Sequence, residues 1–555
     1  MVHVINGLLI FFLTNRLLRL ASLNEVRSYG FALFCSTFWL LHPFNVSTVL
    51  YVIQRMTQLS TLFSLLVMVF FVIGRQRMST GRALGDFYVL VALLPMTILA
   101  VLSKENGILA LAFCLLIEVI LFKSSAKSAL YRKCYWLLIV APLALLTVFL
   151  LSKIPAYVSS YSYRDFTLVE RLLTESRILL DYLYNIFVPK GFGTGLIHDD
   201  IVLSKSIFSP ISTLYSLAAI IALLVTGLVA RKRIPLLSFG VFFFFVGHLL
   251  ESTFIPLELY FEHRNYLPML GAIIALIGLL NLLLDMETKT LGRLMVAIIF
   301  SVYIGGAYAV TQQQVKVWSN LFDLLTIWAT EHPDSLRAQR VYGQFLGRGK
   351  VWSYEGIDVL SNAMEKHPDD ISLPIIIINT ACRNDLPLSE MPVNLDSILL
   401  RAETAYYHGG LMTELKAFGN YFVDGKCASD ESIEKGLRLL TLMSNVHGMR
   451  GGQKADLLFY MGELYERLGN LDLAMATLDE AGKHQKDFVV PYRQAQYLAS
   501  AGLYDEALKF ISEARRRDTK RKRKHLVPSN DKIITFLESR ILHAKAKNET
   551  PNRAN

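Results

Sequence analysis

Long apolar runs, confined to residues 1–312, restrict this chain more than any other feature. Crossing a bilayer as a helix takes about 20 mostly apolar residues. Ten runs approach that length, near 4–20, 31–50, 57–74, 87–102, 107–122, 135–152, 211–230, 235–254, 266–284 and 294–311. Only 18% of the chain is charged and its mean hydropathy is +0.40, whereas soluble domains carry about a quarter charged residues. The first run is not read as a cleavable signal. It lacks a small-residue cleavage site, and Asn15, Arg16 and Arg19 follow the apolar stretch instead of preceding it.

Lys and Arg in short loops mark the cytoplasmic side of a membrane protein. Arg75, Arg77 and Arg82 follow the third run, and Lys123, Lys127, Arg132 and Lys133 follow the fifth. Arg231, Lys232 and Arg233 separate the seventh and eighth, and Lys289 and Arg293 the ninth and tenth. One orientation satisfies all four loops. It puts 42–56, 103–106, the long loop 153–209, 251–268 and everything after Val310 on the opposite face. The localisation expected is a bacterial inner (cytoplasmic) membrane, with 313–555 in the periplasm.

Residues 313–555 read as a soluble sequence that repeats. Gly469, Ala474, Leu478 and Ala481 recur 33 residues later as Gly502, Ala507, Ile511 and Ala514, giving units over 456–487 and 489–520. That period belongs to a helix–turn–helix repeat of the tetratricopeptide type. Small residues let paired helices approach, and Gly ends the first helix. A looser unit is marked by His332-Pro333-Asp334 and His367-Pro368-Asp369, where each Pro stops one helix and each Asp can cap the next. Between about 370 and 455 the period is lost. The fold class is therefore all-α: a polytopic transmembrane bundle of about ten spans over 1–312, then an α-solenoid over 313–555. Such a stack offers a concave face to a protein or peptide.

Cys35, Cys114 and Cys134 fall in or beside apolar runs and read as inert packing. Cys382 and Cys427 are the soluble pair, able to form a disulfide in an oxidising compartment.

The notable polar motifs all fall on the face assigned to the repeats. They are His42-Pro43-Phe44-Asn45, Gln54-Arg55, Ser103-Lys104-Glu105-Asn106, His198-Asp199-Asp200 behind the Gly-rich stretch 191–195, Glu251, Glu258 and Glu262-His263-Arg264-Asn265-Tyr266. Ionisable groups near membrane depth are costly and mark function. Together they suggest a pocket for an anionic group, with Arg55, Lys104 and Arg264 as cations and the carboxylates as bases. Each has a plainer reading: a helix stop at His42, a hairpin cap at Lys104-Glu105, a turn at 198–200. The spacing of 198–200 is not diagnostic of a metal site, so no metal ligands are assigned and a divalent cation stays an open cofactor. Asn45-Val46-Ser47 matches a glycosylation acceptor at the membrane edge. The basic run Arg515–Arg517 and Lys520–Lys524 resembles a nucleic-acid patch. Its side of the membrane argues for a solvated face instead, and no nucleic-acid partner is expected.

Four stretches carry a resemblance: HPFNVSTVLYVIQRMTQLSTLFSLL, LSKENGILALAFCLLIEVILF, TESRILLDYLYNIFVPKG with HDDIVLSKS, and EHRNYLPMLG ahead of the repeats. They resemble bacterial membrane proteins with C-terminal tetratricopeptide repeats. Those are similar in turn to the transmembrane and tetratricopeptide repeat mannosyltransferases and to the wider GT-C-like class. The resemblance implies a polyprenyl-phosphate-linked sugar as donor at the outer membrane face and a protein or glycan acceptor near the repeats. It also implies an acidic residue that deprotonates the acceptor and cations that hold the departing phosphate. In that class the catalytic carboxylate lies in the first extracytoplasmic loop. Here MVHVINGLLIFFLTNRLLRL resembles the span after that loop, so a further span and acidic loop are expected upstream of Met1. Without them the chain is either inactive or uses Glu105, Asp199, Asp200 or Glu262. His42, Arg55, Lys104, His198, His263, Arg264, Asn265 and Tyr266 are the substrate-binding candidates. The competing reading is a membrane-anchored scaffold whose repeats recruit envelope proteins without catalysis. A transporter ranks lower, because no intramembrane charge pairs or matched broken helices mark a pathway.

Overall fold

The structure, a computed structural model, describes the chain except 123–126, 162–163, 192–194, 287–289, 406–409, 428, 447, 526–528 and 550–555, and except the side chains of 286, 290–293, 521–525 and 549. Lys123, Lys289, the side chain of Arg293, part of the Gly-rich stretch and the side chains of 521–524 therefore lie outside the described residues. The described residues form helices and turns and no named strand. They divide into two compact units, Met1–Ser335 and Leu336–Asn555. The division falls later than residue 312, so the helix Leu321–Glu331 belongs with the first unit.

Among the described residues of the first unit, six helices are long and apolar enough to cross a bilayer: Val2–Leu20, Val52–Ser79, Gly85–Ser103, Ala129–Ser152, Ser212–Ala230 and Leu294–Ser319. Glu25–Leu40 and Pro43–Leu50, bent by 53°, make a seventh if counted as one span. The count falls short of ten because three expected spans form shorter helices. The run near 107–122 splits into an α-helical and a π-helical piece, Leu109–Leu116 and Ile117–Leu121. The run 235–254 stops at Gly247, and the run 266–284 starts only at Met269. The apolar windows of Ala129–Ser152 and Leu294–Ser319 are only 11% and 6% buried within the protein. Exposed apolar surface on that scale fits a membrane protein.

Two close backbone approaches fix the neighbourhood of the polar site. A Cβ on Gly240 would sit 2.4 Å from the Gly271 carbonyl oxygen, so only glycine lets Pro235–Gly247 pack this tightly on Met269–Met286. A Cβ on Gly107 would sit 2.2 Å from Ala100, which closes the hairpin carrying Lys104. Beside them runs Leu168–Phe187, opened by a capping box between Thr167 and Glu170. Its buried residues Arg171, Thr174, Glu175, Ile178, Tyr182, Asn185 and Ile186 recur at helical spacing. Charged residues on that buried stripe show that it covers polar groups, not lipid.

In the second unit, helices pack in sequence-adjacent pairs at both ends, Leu336–Leu346 with Ser353–Lys366, Gly451–Arg467 with Leu471–His484, and Val489–Ser500 with Tyr504–His525. Gly469 and Gly502 turn at φ +74° and +80°, a region that favours glycine. Ala474, Leu478 and Ala481, and their counterparts Ala507, Ile511 and Ala514, are fully buried. In the middle, Ser372–Asn384 packs on Leu411–Val423, and Leu395–Ala402 on Asp430–Ser444. Alternate helices meet there as well as neighbours, and the connections are longer. That is why the period fades between 370 and 455. Helices end at His332 and at His367, as the prolines require. The cap after the second of these is Asp370, not Asp369: its Oδ1 accepts from the amides of Ser372 and Leu373. A disulfide joins Cys382 to Cys427 across a separation of 45 residues. Closing a loop of that length restricts the unfolded chain by about 4 kcal/mol on the loop-entropy account.

Candidate functional site

The polar site is built on the segment 248–268, which carries little regular structure between the helices Pro235–Gly247 and Met269–Met286. Two buried arginines hold it. Arg171 donates to the carbonyls of Glu251 (2.7 Å), Thr253 (2.8 Å) and Leu257, and pairs with Glu175 at 2.8 Å. Arg264 donates to the carbonyls of Leu259 (2.7 Å) and Glu258 and lies 3.6 Å from Glu175. A planar guanidinium suits this task because its forked donors reach several carbonyls at once.

Against that frame, the Lys104 ammonium lies 2.8 Å from the Glu251 carboxylate, both side chains nearly inaccessible. Lys104, Glu251, His263 and Arg264 line a cleft of about 40 Å³. Its far wall is a ladder of hydroxyls, Thr57, Ser60, Thr61 and Ser64, on one face of Arg55–Ser79. Asn106 also lines it, with a buried Oδ1 that has no hydrogen-bond partner. The cleft holds a few waters or a small oxyanion, since one water needs about 10–15 Å³.

Charge sets what the cleft prefers. Three buried cations, Lys104, Arg171 and Arg264, face two buried carboxylates, Glu175 and Glu251. Burial raises the Glu251 carboxyl, but Lys104 and then Arg264 outweigh it and hold the group at about 2. Burial also dominates at Glu175, pushed up to about 7 against the pull of Arg264 and Arg171. His263 is pushed down to about 3, by burial first and then by Lys104, so it stands neutral. The cluster thus keeps at least one positive charge in excess, the condition for an anion site.

A second polar centre surrounds Glu262, whose carboxyl accepts from the Ser47 hydroxyl and from the Gly195 amide at 2.8 Å. Burial pushes this carboxyl up to about 8. Between its ordinary value near 4.5 and about 8, the folded chain holds a proton that the unfolded chain releases. Stability from this group is therefore fullest below pH 4.5 and is lost as pH rises through 8. Glu262→Gln keeps an oxygen acceptor for the Gly195 amide, turns its NH2 toward the Ser47 hydroxyl, which can accept instead of donate, and removes the titration. Its stability in detergent should gain on that of the parent chain from pH 5 to about pH 8, by roughly 1 kcal/mol per pH unit, and level off above. Parallel pH profiles would contradict this.

Of the catalytic and substrate-binding candidates, Lys104, His263 and Arg264 come together in the cleft, joined there by Glu251 and Asn106 from the wider set of polar motifs, and the other candidates do not line it. Glu105 shares the Lys104 hairpin but is exposed and does not line the cleft. Arg55 is exposed at its helix start, with no ion pair among the described residues. His42 is buried, its Nε2 2.9 Å from the Ile186 carbonyl and its Nδ1 accepting the Phe44 amide, as the helix-stop reading requires. Asn265 and Tyr266 are fully buried away from the cleft, Tyr266 bonding His3 at 2.8 Å through its hydroxyl. His198, Asp199 and Asp200 do not converge on a common point. His198 is 3.2 Å from the Gly195 carbonyl, Asp199 accepts from Ser335, and Asp200 lies 2.8 Å from His332. Among the described residues no group of three His, Cys, Asp or Glu side chains could hold a metal ion. Asn45 and Ser47 are buried, which removes the glycosylation motif from reach.

Arg171, Glu175 and the hydroxyl ladder were not singled out from the sequence. Hydroxyls at positions 57, 60, 61 and 64 do carry a signal, since they follow helical spacing inside an apolar run. Arg171 and Glu175 are an i,i+4 pair that looks like an ordinary surface pair until burial is known. Compared with known proteins, the chain matches no family model and no curated protein.

Proposed function

We propose that this chain is a membrane glycosyltransferase that moves a sugar from a polyprenyl-phosphate carrier to a protein or glycan acceptor on the extracytoplasmic face. The observation that carries the reading is the buried cleft with excess positive charge. An uncompensated cation at membrane depth is costly, and the phosphate of a lipid carrier balances it. Lys104 and Arg264 would hold that phosphate, with Asn106 and the hydroxyls of Thr57–Ser64 hydrogen-bonding around it. A phosphate drawing on Lys104 weakens the grip on Glu251, whose carboxyl then rises from about 2 and becomes a better proton acceptor. Glu251 is the carboxylate that lines the cleft, so it takes precedence over Glu105, Asp199, Asp200 and Glu262 as the base.

The topology that goes with this reading has ten crossings, the three short helices included. The second unit is read as a tetratricopeptide-type solenoid that receives the acceptor in the periplasm of a bacterial inner-membrane protein. The Cys382–Cys427 disulfide supports an oxidising compartment. The equal burial of Ala474, Leu478 and Ala481 and of their counterparts 33 residues on supports the repeat.

One observation favours the other reading, a membrane-anchored scaffold. At about 40 Å³ the cleft admits a phosphate group but not a sugar ring. Full-length protein in nanodiscs, supplied with polyprenyl-phosphate mannose or glucose and a peptide or glycan acceptor, separates the two. Release of polyprenyl phosphate with sugar on the acceptor supports the enzyme. An intact donor, with protein partners that depend on residues 336–555, establishes the scaffold.

A further inference from the structure

The second notable cavity is wholly apolar. It encloses about 240 Å³ among Leu168–Phe187, Ser212–Ala230, Pro235–Gly247 and Met269–Met286, and all twelve lining residues are apolar. Water has no partner there and does not fill such a space, whereas a smaller apolar cavity of about 150 Å³ already accepts benzene. Its rim reaches Leu279, 43% exposed, and the helix that lends it Leu223 exposes Ile221, Val225 and Leu228 on its opposite face. A surface of this kind meets hydrocarbon, so the occupant enters from the bilayer.

The cavity and the polar cleft share one helix. Gly240 and Phe244 line the cavity, and Gly247 lines the cleft on the same face. Three residues, about 4.5 Å of helix, separate Phe244 from Gly247, and Glu251 follows four residues on, past the helix end. An anionic site and a chain-sized apolar site at that separation describe the two ends of one amphiphile. We infer that the cavity bounded by Leu183, Phe187, Val241, Phe244, Ala275 and Leu279 holds the first isoprene units of a single-chain lipid phosphate whose head occupies the cleft, an assignment that rests on the function proposed above. A single chain is the occupant this cavity of about 240 Å³ can place; a diacyl lipid needs room for a second.

Farnesyl phosphate carrying a chain-end diazirine, photolysed with the full chain in nanodiscs, tests this. Adducts are expected within 183–187, 237–245 and 272–279. They should fall at least tenfold in Ala275→Phe, which fills the cavity, and in Leu279→Trp, which blocks its exposed rim and is the safer variant for folding. Binding of inorganic phosphate should be unchanged in both. Lys104-dependent binding of farnesyl phosphate with adducts elsewhere would overturn the cavity assignment and leave the proposed function standing. Equal labelling by the matching farnesol would keep the chain site but remove the phosphate reading. Equal labelling by a diazirine phosphatidic acid would overturn the single-chain assignment, and no adducts with any probe would overturn both.

Discussion

Arg171→Ala should lower stability by about 3–5 kcal/mol, the range for removing one partner of a buried charge pair. The side chain is fully buried, and three carbonyls of the 251–257 segment depend on it together with Glu175. Truncation leaves those carbonyls without donors and the Glu175 carboxylate without its nearest cation, each a separate cost. Arg171→Lys should rescue little, because one ammonium cannot supply the fork that spans Glu251, Thr253 and Leu257. Melting temperature and yield of monodisperse protein in detergent read the effect. A lysine variant as stable as the parent would show that charge alone, not the fork, holds the segment.

Lys104→Met should abolish the anion site. It leaves two cations, Arg171 and Arg264, against Glu175 and Glu251, so the excess charge disappears. Losing a buried charge-assisted contact costs about 2–5 kcal/mol of binding, which is roughly a 30- to 4,000-fold fall in affinity for a lipid phosphate. The single variant also strands Glu251 without Lys104, so a folding defect could mimic lost binding. The double variant Lys104→Met, Glu251→Gln removes both charges and restores a neutral, hydrogen-bonding pair. By the same count it keeps one positive charge in excess, Arg171 and Arg264 against Glu175, so what it lacks is the Lys104 contact itself; it should fold like the parent and still fail to bind. Full phosphate binding by the double variant, measured by isothermal titration in detergent, would remove Lys104 from the site.

How much of this was legible in the sequence depends on the kind of signal. Apolar runs and the 33-residue recurrence of Gly469 at Gly502 depend on composition and spacing, which a sequence states directly. The helix ends at His332 and His367 were readable because proline acts locally. Span lengths were less so: the run 235–254 looks continuous, yet ends at Gly247, where His248 through Ser252 turn and Arg171 takes the Glu251 carbonyl. Within the site, Lys104 and Arg264 stood out because charge is rare near apolar runs. Glu251 stood out too, but not its pairing with Lys104 across 147 positions, nor Arg171, which holds Glu251 across 80. Asn265 and Tyr266 misled for the opposite reason. A polar cluster at a helix start looks functional whether it faces a cleft or packs against His3 and Trp39.

The most direct measurement is native mass spectrometry of the full chain released from nanodiscs loaded with polyprenyl phosphate. The account predicts one lipid phosphate per chain on the parent protein and none on the Lys104→Met, Glu251→Gln double variant of equal stability. A parent chain that emerges without lipid phosphate, or a double variant that retains it equally, would contradict the claim that the cleft is a lipid-phosphate site.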